Sequence, residues 1–225
     1  MIDIQKILGN SGARASVWCA ACSDSSDLAR VAEIAIASGA SAISVAPDNI
    51  ATLWPWLENH NIKIFARFYV DNVSADAISD LAEKIKTGFK HGADGAQIFV
   101  RGTELSSLLE QLRMIRDDLF FNKDVVIGLD ICDIGPFDWR AIFAALGAMR
   151  VNGIMLALVH DDGVASDFVG RVFACLGAWP DGMNAELQFA AGLTPNRIEQ
   201  AIRLTQTMQP DMLSRCMFFV GDMRM

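Results

Sequence analysis

Apolar positions along this chain fall into two alternating rhythms. Short runs in which nearly every residue is apolar recur at 15–21 (ASVWCAA), 41–46 (SAISVA), 63–70 (KIFARFYV), 95–100 (GAQIFV), 124–130 (DVVIGLD), 153–159 (GIMLALV), 186–191 (ELQFAA) and 216–221 (CMFFVG). Between them lie longer stretches such as DLARVAEIAIASG, SADAISDLAEKIKTGFKHG, ELSSLLEQLRMIRDDLF and TPNRIEQAIRLTQTM. There the apolar residues return at i, i+3, i+4 and i+7, which marks one buried stripe per helix. Runs without polar alternation predict strands covered on both faces, as in a parallel sheet under helices. Eight such units in β-then-α order predict an α/β protein, a (β/α)8 TIM barrel. A doubly wound open sheet is the alternative, weakened because no strand is followed by G-x-G-x-x-G.

Local signals agree with this order. Asp27, Ser74 and Thr194 stand where N-caps belong, and Pro195 suits a first helical position. Gly39 and Gly92 stand where helices end in a left-handed cap. Pro55, in WPW, predicts a short or kinked second helix. Little chain follows the eighth strand, so the last barrel helix is expected to be missing or replaced by the N-terminal run DIQKIL. No linker or low-complexity stretch interrupts the pattern, and the expectation is one domain over residues 1–225.

Composition narrows the partners. The formal net charge is −8 with no basic patch, which argues against nucleic acid. No apolar run approaches the ~18 residues of a membrane span, and the first residues lack a signal peptide's apolar centre. Five scattered cysteines suit a reducing compartment, so a cytoplasmic location is expected. In WCAAC, strand alternation sends Cys19 and Cys22 to opposite faces, and both read as core cysteines. The apolar stretches LWPWL and FVGRVFACLGAWP suggest faces for a homo-oligomer.

In this fold, chemistry sits at the C-terminal ends of the strands. His160 stands at the end of strand 6 and could transfer protons, oriented by Asp130 or Asp162. Arg67 and Arg101 lie within or just after apolar strands, where a guanidinium needs an anion. They could grip a substrate carboxylate or phosphate, or form fixed pairs with Asp71 or Asp130. Gly192, Thr194 and Gly221 could supply a phosphate cup after strands 7 and 8, or simply an ordinary turn. Asp130, Asp133, Asp161 and His160 could hold Mg²⁺ or Mn²⁺, or merely cap helices. No tight ligand spacing supports the metal, and no cofactor is expected.

The stretches at 39–70, 90–120 and 123–130, and more weakly 187–202, resemble the deoxyribose-phosphate aldolases and related Schiff-base aldolases. The resemblance implies three groups: a strand-4 aspartate, a strand-6 imine-forming lysine and a strand-7 lysine. In this sequence those places hold Gln97, Met155 and Gln188. No lysine follows Lys123. An imine needs a primary amine at the reacting centre, so that mechanism is excluded. The expectation is therefore an aldolase-like barrel that acts on or binds a small phosphorylated or carboxylated sugar-like metabolite by acid/base chemistry. His160 and Asp130 would be catalytic, with Arg67, Gln97, Arg101, Gln188, Gly192, Thr194 and Gly221 holding substrate. The alternatives are a barrel without catalysis, kept as a binding or assembly subunit, and a metal-dependent lyase.

Overall fold

Parallel strands joined in chain order close on themselves. The computed structural model describes residues 4–19, 24–158 and 167–221. Its strands are β1 (Arg14–Trp18), β2 (Ala42–Val45), β3 (Lys63–Val70), β4 (Gly95–Val100), β5 (Asp124–Asp130), β6 (Gly153–Ala157), β7 (Glu186–Ala190) and β8 (Cys216–Gly221). They pair in the order β1 to β8, and β8 returns to β1 to seal the barrel. This is the predicted (β/α)8 architecture, and the open-sheet alternative is set aside.

The helices are α1 (Ile4–Leu8), α2 (Ser25–Ala37), α3 (Ile50–Leu57), α4 (Ala75–Lys90), α5 (Leu105–Leu119), α6 (Trp139–Met149), α7 (Phe168–Ala178) and α8 (Pro195–Met208). Pro55 lies inside α3, which stops after 8 residues. The α2 cap is Asp24 rather than Asp27: its carboxylate accepts from the backbone N–H of Ser26 and of Asp27, both at 2.9 Å. Asp27 sits instead in the first turn, where a negative charge favours the helix dipole. Among the described residues no helix follows β8. The short α1 packs against α8 and β1, with Ile4 and Leu8 buried, and takes the place beside the barrel that a last helix would fill.

Alternation along each strand divides the apolar residues into two cores. Outward residues such as Ile43, Ala66, Ile98 and Ile127 join the helices in one continuous shell. Inward residues form a second cluster that includes Trp18, Phe65, Phe99, Met155, Met217 and Phe219. Its rings meet edge to face, Trp18 with Phe99 at 5.8 Å and Phe65 with Phe219 at 6.4 Å between centroids. Fully burying such a ring contributes about 2–3 kcal/mol. Gly128 makes room for one of them, since a Cβ there would stand 2.5 Å from the Phe99 ring. The barrel is filled, not hollow.

Candidate functional site

The inward row of β3 reads Lys63, Phe65, Arg67, Tyr69, from the N-terminal rim to the C-terminal mouth. Arg67 is 6 % exposed. Its guanidinium lies over the Trp18 ring, 4.1 Å from the centroid, and 6.0 Å from that of Tyr69. It donates to the Cys19 carbonyl at 2.7 Å and to the Ser44 hydroxyl at 3.3 Å. No carboxylate among the described residues pairs with it. The expected alternative of a fixed pair with Asp71 or Asp130 is thus not formed. Burial lowers the guanidinium's pKa below its ordinary value, and Tyr69 opposes this. A cation kept this dry without a counter-charge costs several kcal/mol.

Gln97 and Gln188 are fully buried in the middle of the barrel. Gln97 Oε1 accepts from Ser44 at 2.6 Å, and Gln97 Nε2 donates across the barrel to Gln188 Oε1 at 3.2 Å. Met155, also fully buried, is the Cα partner of Gln188 between β6 and β7. The three places at which the resemblance implies an aspartate and two lysines therefore do converge. Here they hold two hydrogen-bonded amides and a thioether, in a packed interior.

The lysines stay away from that centre. Lys63 pairs with Asp124 at 2.6 Å on the N-terminal rim, and Lys123 donates to the Ala93 carbonyl at 2.6 Å. Lys84, Lys86 and Lys90 are exposed on α4.

A cleft of about 340 Å³ opens at the mouth between the ends of β3, β4 and β5. Arg101, Tyr69, Asp71, Asp130 and Asp133 line it. Arg101 is exposed and takes part in no ion pair among the described residues. Asp130 is 7 % exposed. Its Oδ1 accepts from the Cys132 N–H at 2.9 Å, which caps the turn Ile131–Asp133. Burial and the neighbouring Asp130 raise the Cys132 thiol's pKa. A larger hollow, about 820 Å³, lies at the opposite rim by Arg140, Arg150 and Glu186, away from the strand ends where this fold keeps its chemistry.

The turn after β7 holds Ala191 and Gly192 at φ +50° and +60°. Thr194 caps α8 by accepting from the Arg197 N–H at 3.3 Å, and the Gly192 carbonyl accepts from the Arg197 guanidinium at 2.6 Å. Gly221 sits against Trp18. His160, Asp161 and Asp162 lie outside the described residues, as do Cys22 and Asp222. Among the described residues no three acidic, histidine or cysteine side chains are grouped to hold a metal. Cys19 is buried as expected but is disulfide-bonded. Cys132, Cys175 and Cys216 are free thiols.

Sequence reasoning missed Ser44, Glu186 and the Trp18 platform. The signal was present: alternation in SAISVA turns Ser44 to the same face as Ala42, and Glu186 precedes Gln188 by two residues.

No family model matches the chain, and no curated protein matches it either. Solved structures do resemble it. The tetrameric deoxyribose-phosphate aldolase from Aeropyrum pernix superposes with a TM-score of 0.73 at 10 % identity, over 98 % of this chain and 91 % of that one. An aldolase designated QR15 gives 0.66 at 11 % identity, over 97 % and 92 % of the two chains. A phosphonopyruvate hydrolase solved with oxalate and Mg²⁺ gives 0.60 at 14 % identity, over 98 % and 79 %. At such identities the likeness is one of fold. The chain is a closed (β/α)8 barrel, similar in architecture to the deoxyribose-phosphate aldolases and other aldolase-like and lyase-type barrels.

Proposed function

We propose that this barrel takes a small phosphorylated or carboxylated sugar-like metabolite at its C-terminal mouth, with Arg67 as the partner of the anion. The observation that carries this reading is the guanidinium itself, 6 % exposed and without a carboxylate partner among the described residues. A ligand anion would supply the missing counter-charge through charge-assisted hydrogen bonds. Tyr69, 56 % exposed at the mouth, offers ring surface against which a sugar-like body can lie. Arg101 stands ready at the neighbouring cleft. In this reading any chemistry is proton transfer by Asp130 and His160, and imine formation has no part in it. Calorimetric titration with inorganic phosphate and short sugar phosphates tests it. Binding that disappears in Arg67→Met supports the assignment, and binding that survives unchanged in Arg67→Met refutes it.

One observation favours the second reading, a binding or assembly subunit without catalysis: Gln97, Met155 and Gln188 are all excluded from solvent. Saturable binding without turnover of any bound sugar phosphate is its signature. We further propose that copies of the chain associate through α6 and α7. Their solvent side shows Ala141, Ala144, Gly147, Val169 and Phe173, the last 55 % exposed, whereas α4 shows Asp80, Glu83, Lys84 and Lys86. A helix face meant for water carries charge.

A further inference from the structure

The hydrogen bonds inside the barrel run in a single direction. Arg67 Nη1 donates to Ser44 Oγ, Ser44 Oγ to Gln97 Oε1, and Gln97 Nε2 to Gln188 Oε1. Gln188 Nε2 then donates to Glu186 Oε2 at 3.2 Å, and Arg14 closes the row by donating to Glu186 Oε1 at 2.6 Å. The row begins at the mouth and ends at the N-terminal rim, where the Glu186 side chain is 28 % exposed. We infer that Glu186 is a positioning residue for Arg67, acting from the far end of the barrel by fixing the direction of every hydrogen bond between them.

What each group can donate sets the direction. An ionised carboxylate only accepts, so Gln188 must turn its NH₂ toward Glu186 and its oxygen toward Gln97. Gln97 must then give its NH₂ to that oxygen and keep its own oxygen for Ser44. Ser44 uses its one proton on Gln97 and presents only lone pairs to Arg67. A guanidinium has donors alone, and this arrangement seats it with each donor in the row matched to an acceptor. If the row reversed, Ser44 Oγ would have to accept from both Gln97 and Arg67, and its own proton would be left without an acceptor in the row. A buried row of this kind is also strengthened by the mutual polarisation of its members. Gln97 and Gln188 are fully buried, so no water competes along the way.

Glu186→Gln removes the constraint with little change in shape, because an amide can donate or accept. The effect on ligands rests on the anion-binding reading of Arg67, and the effect on Arg67 itself does not. The test reads both. The Arg67 Nε–H resonance, assigned by its loss in Arg67→Lys, is followed in the unliganded protein, and inorganic phosphate affinity is measured by calorimetry. Glu186→Gln is expected to shift and broaden that resonance and weaken phosphate binding about tenfold, a typical size for coupling between separated sites. Glu186→Asp, still acceptor-only, should keep the resonance near its wild-type position. In a Ser44→Ala background, Glu186→Gln should add nothing further to either readout. If Glu186→Gln does not fold, Gln188→Leu breaks the row one link nearer and should reproduce both effects.

The proposal is overturned if Glu186→Gln leaves the Arg67 resonance unmoved, or if its full effect persists in Ser44→Ala. A wild-type protein that ignores phosphate, with a resonance that still moves in Glu186→Gln, removes the anion reading and keeps the positioning role. Phosphate binding by the wild type with a silent Glu186→Gln does the opposite.

Discussion

At the scale of single residues, Arg67 sets the terms. Its guanidinium has aromatic faces, a carbonyl and a hydroxyl around it but no opposite charge among the described residues. Replacing a buried ion by an apolar side chain of similar length is often neutral or stabilising. Arg67→Met is therefore expected to leave thermal stability equal or higher while weakening phosphate binding about 10–100-fold, the size of a charged hydrogen bond. Thermal melting and calorimetry on one sample separate the two. The thiols give an independent check. Burial pushes Cys216 up to about 12 and raises Cys175 further, so both stay protonated at neutral pH and at pH 9. The thiolate is the reactive form, so alkylation at pH 8 should leave both unmodified in the native protein and label them on unfolding, as read by mass spectrometry. The sign for stability follows: unfolded thiols lose protons near their ordinary 9.0 while Cys216 holds its own to about 12, so stability falls as pH rises through that window. Arg67, Gln97 and Gln188 were legible in sequence because each breaks an apolar strand with a polar group. Ser44, between isoleucine and valine, was less so: alternation places it on the face of Ala42, but its partners emerge only once β2 is set beside β3 and β4.

At the scale of elements, the β7–α8 connection shows what local pattern can and cannot say. GLTP reads as a turn and a cap, and the structure uses it so: Thr194 Oγ1 accepts from the Arg197 N–H, and Pro195 takes the first position of α8. Whether the same turn also holds a ligand depends on what faces it across the mouth, which no local pattern records. Thr194→Ala should lower unfolding free energy by about 1 kcal/mol through the lost cap. If the hydroxyl serves the helix alone, phosphate affinity stays within about twofold of wild type, well below the loss expected from a charged contact. A larger loss would return Thr194 to the binding site. Strand ends were less legible than strand centres. Ala191 ends β7 one residue early by turning left-handed at φ +50°, a conformation that alanine's composition does not announce. The start of α2 was ambiguous for another reason. SDSSD offers several capping residues in a row, and only the geometry shows that Asp24 reaches the free N–H groups.

At the scale of the molecule, the closed barrel followed from the sequence because strands covered on both faces leave little choice of architecture. The barrel's interior did not, since alternation shows which side chains point inward but not which meet across the centre. Gln97 on β4 and Gln188 on β7 are far apart in the chain and sit on strands that are not neighbours, yet their amides hydrogen-bond at 3.2 Å. That contact joins two of the places at which the resemblance implies an aspartate and a lysine. A Schiff base would require an amine there, and the two lysines next to the barrel strands are held at the N-terminal rim, Lys63 by Asp124 and Lys123 by the Ala93 carbonyl. Borohydride reduction with short aldehydes, followed by peptide mass mapping, should therefore label Lys63 and Lys123 no faster than the exposed Lys84, Lys86 and Lys90. Installing the missing amines as Met155→Lys with Gln188→Lys should not restore aldol activity. The two ammonium groups would enter a space already filled by Phe65, Phe99, Phe219 and the amide row, where Glu186, already paired with Arg14, is the carboxylate that reaches position 188. Each buried ammonium also costs several kcal/mol unless it is fully paired, so the double variant is expected to melt well below the wild type. Aldol turnover in the double variant would show that the interior opens far more readily than its packing implies.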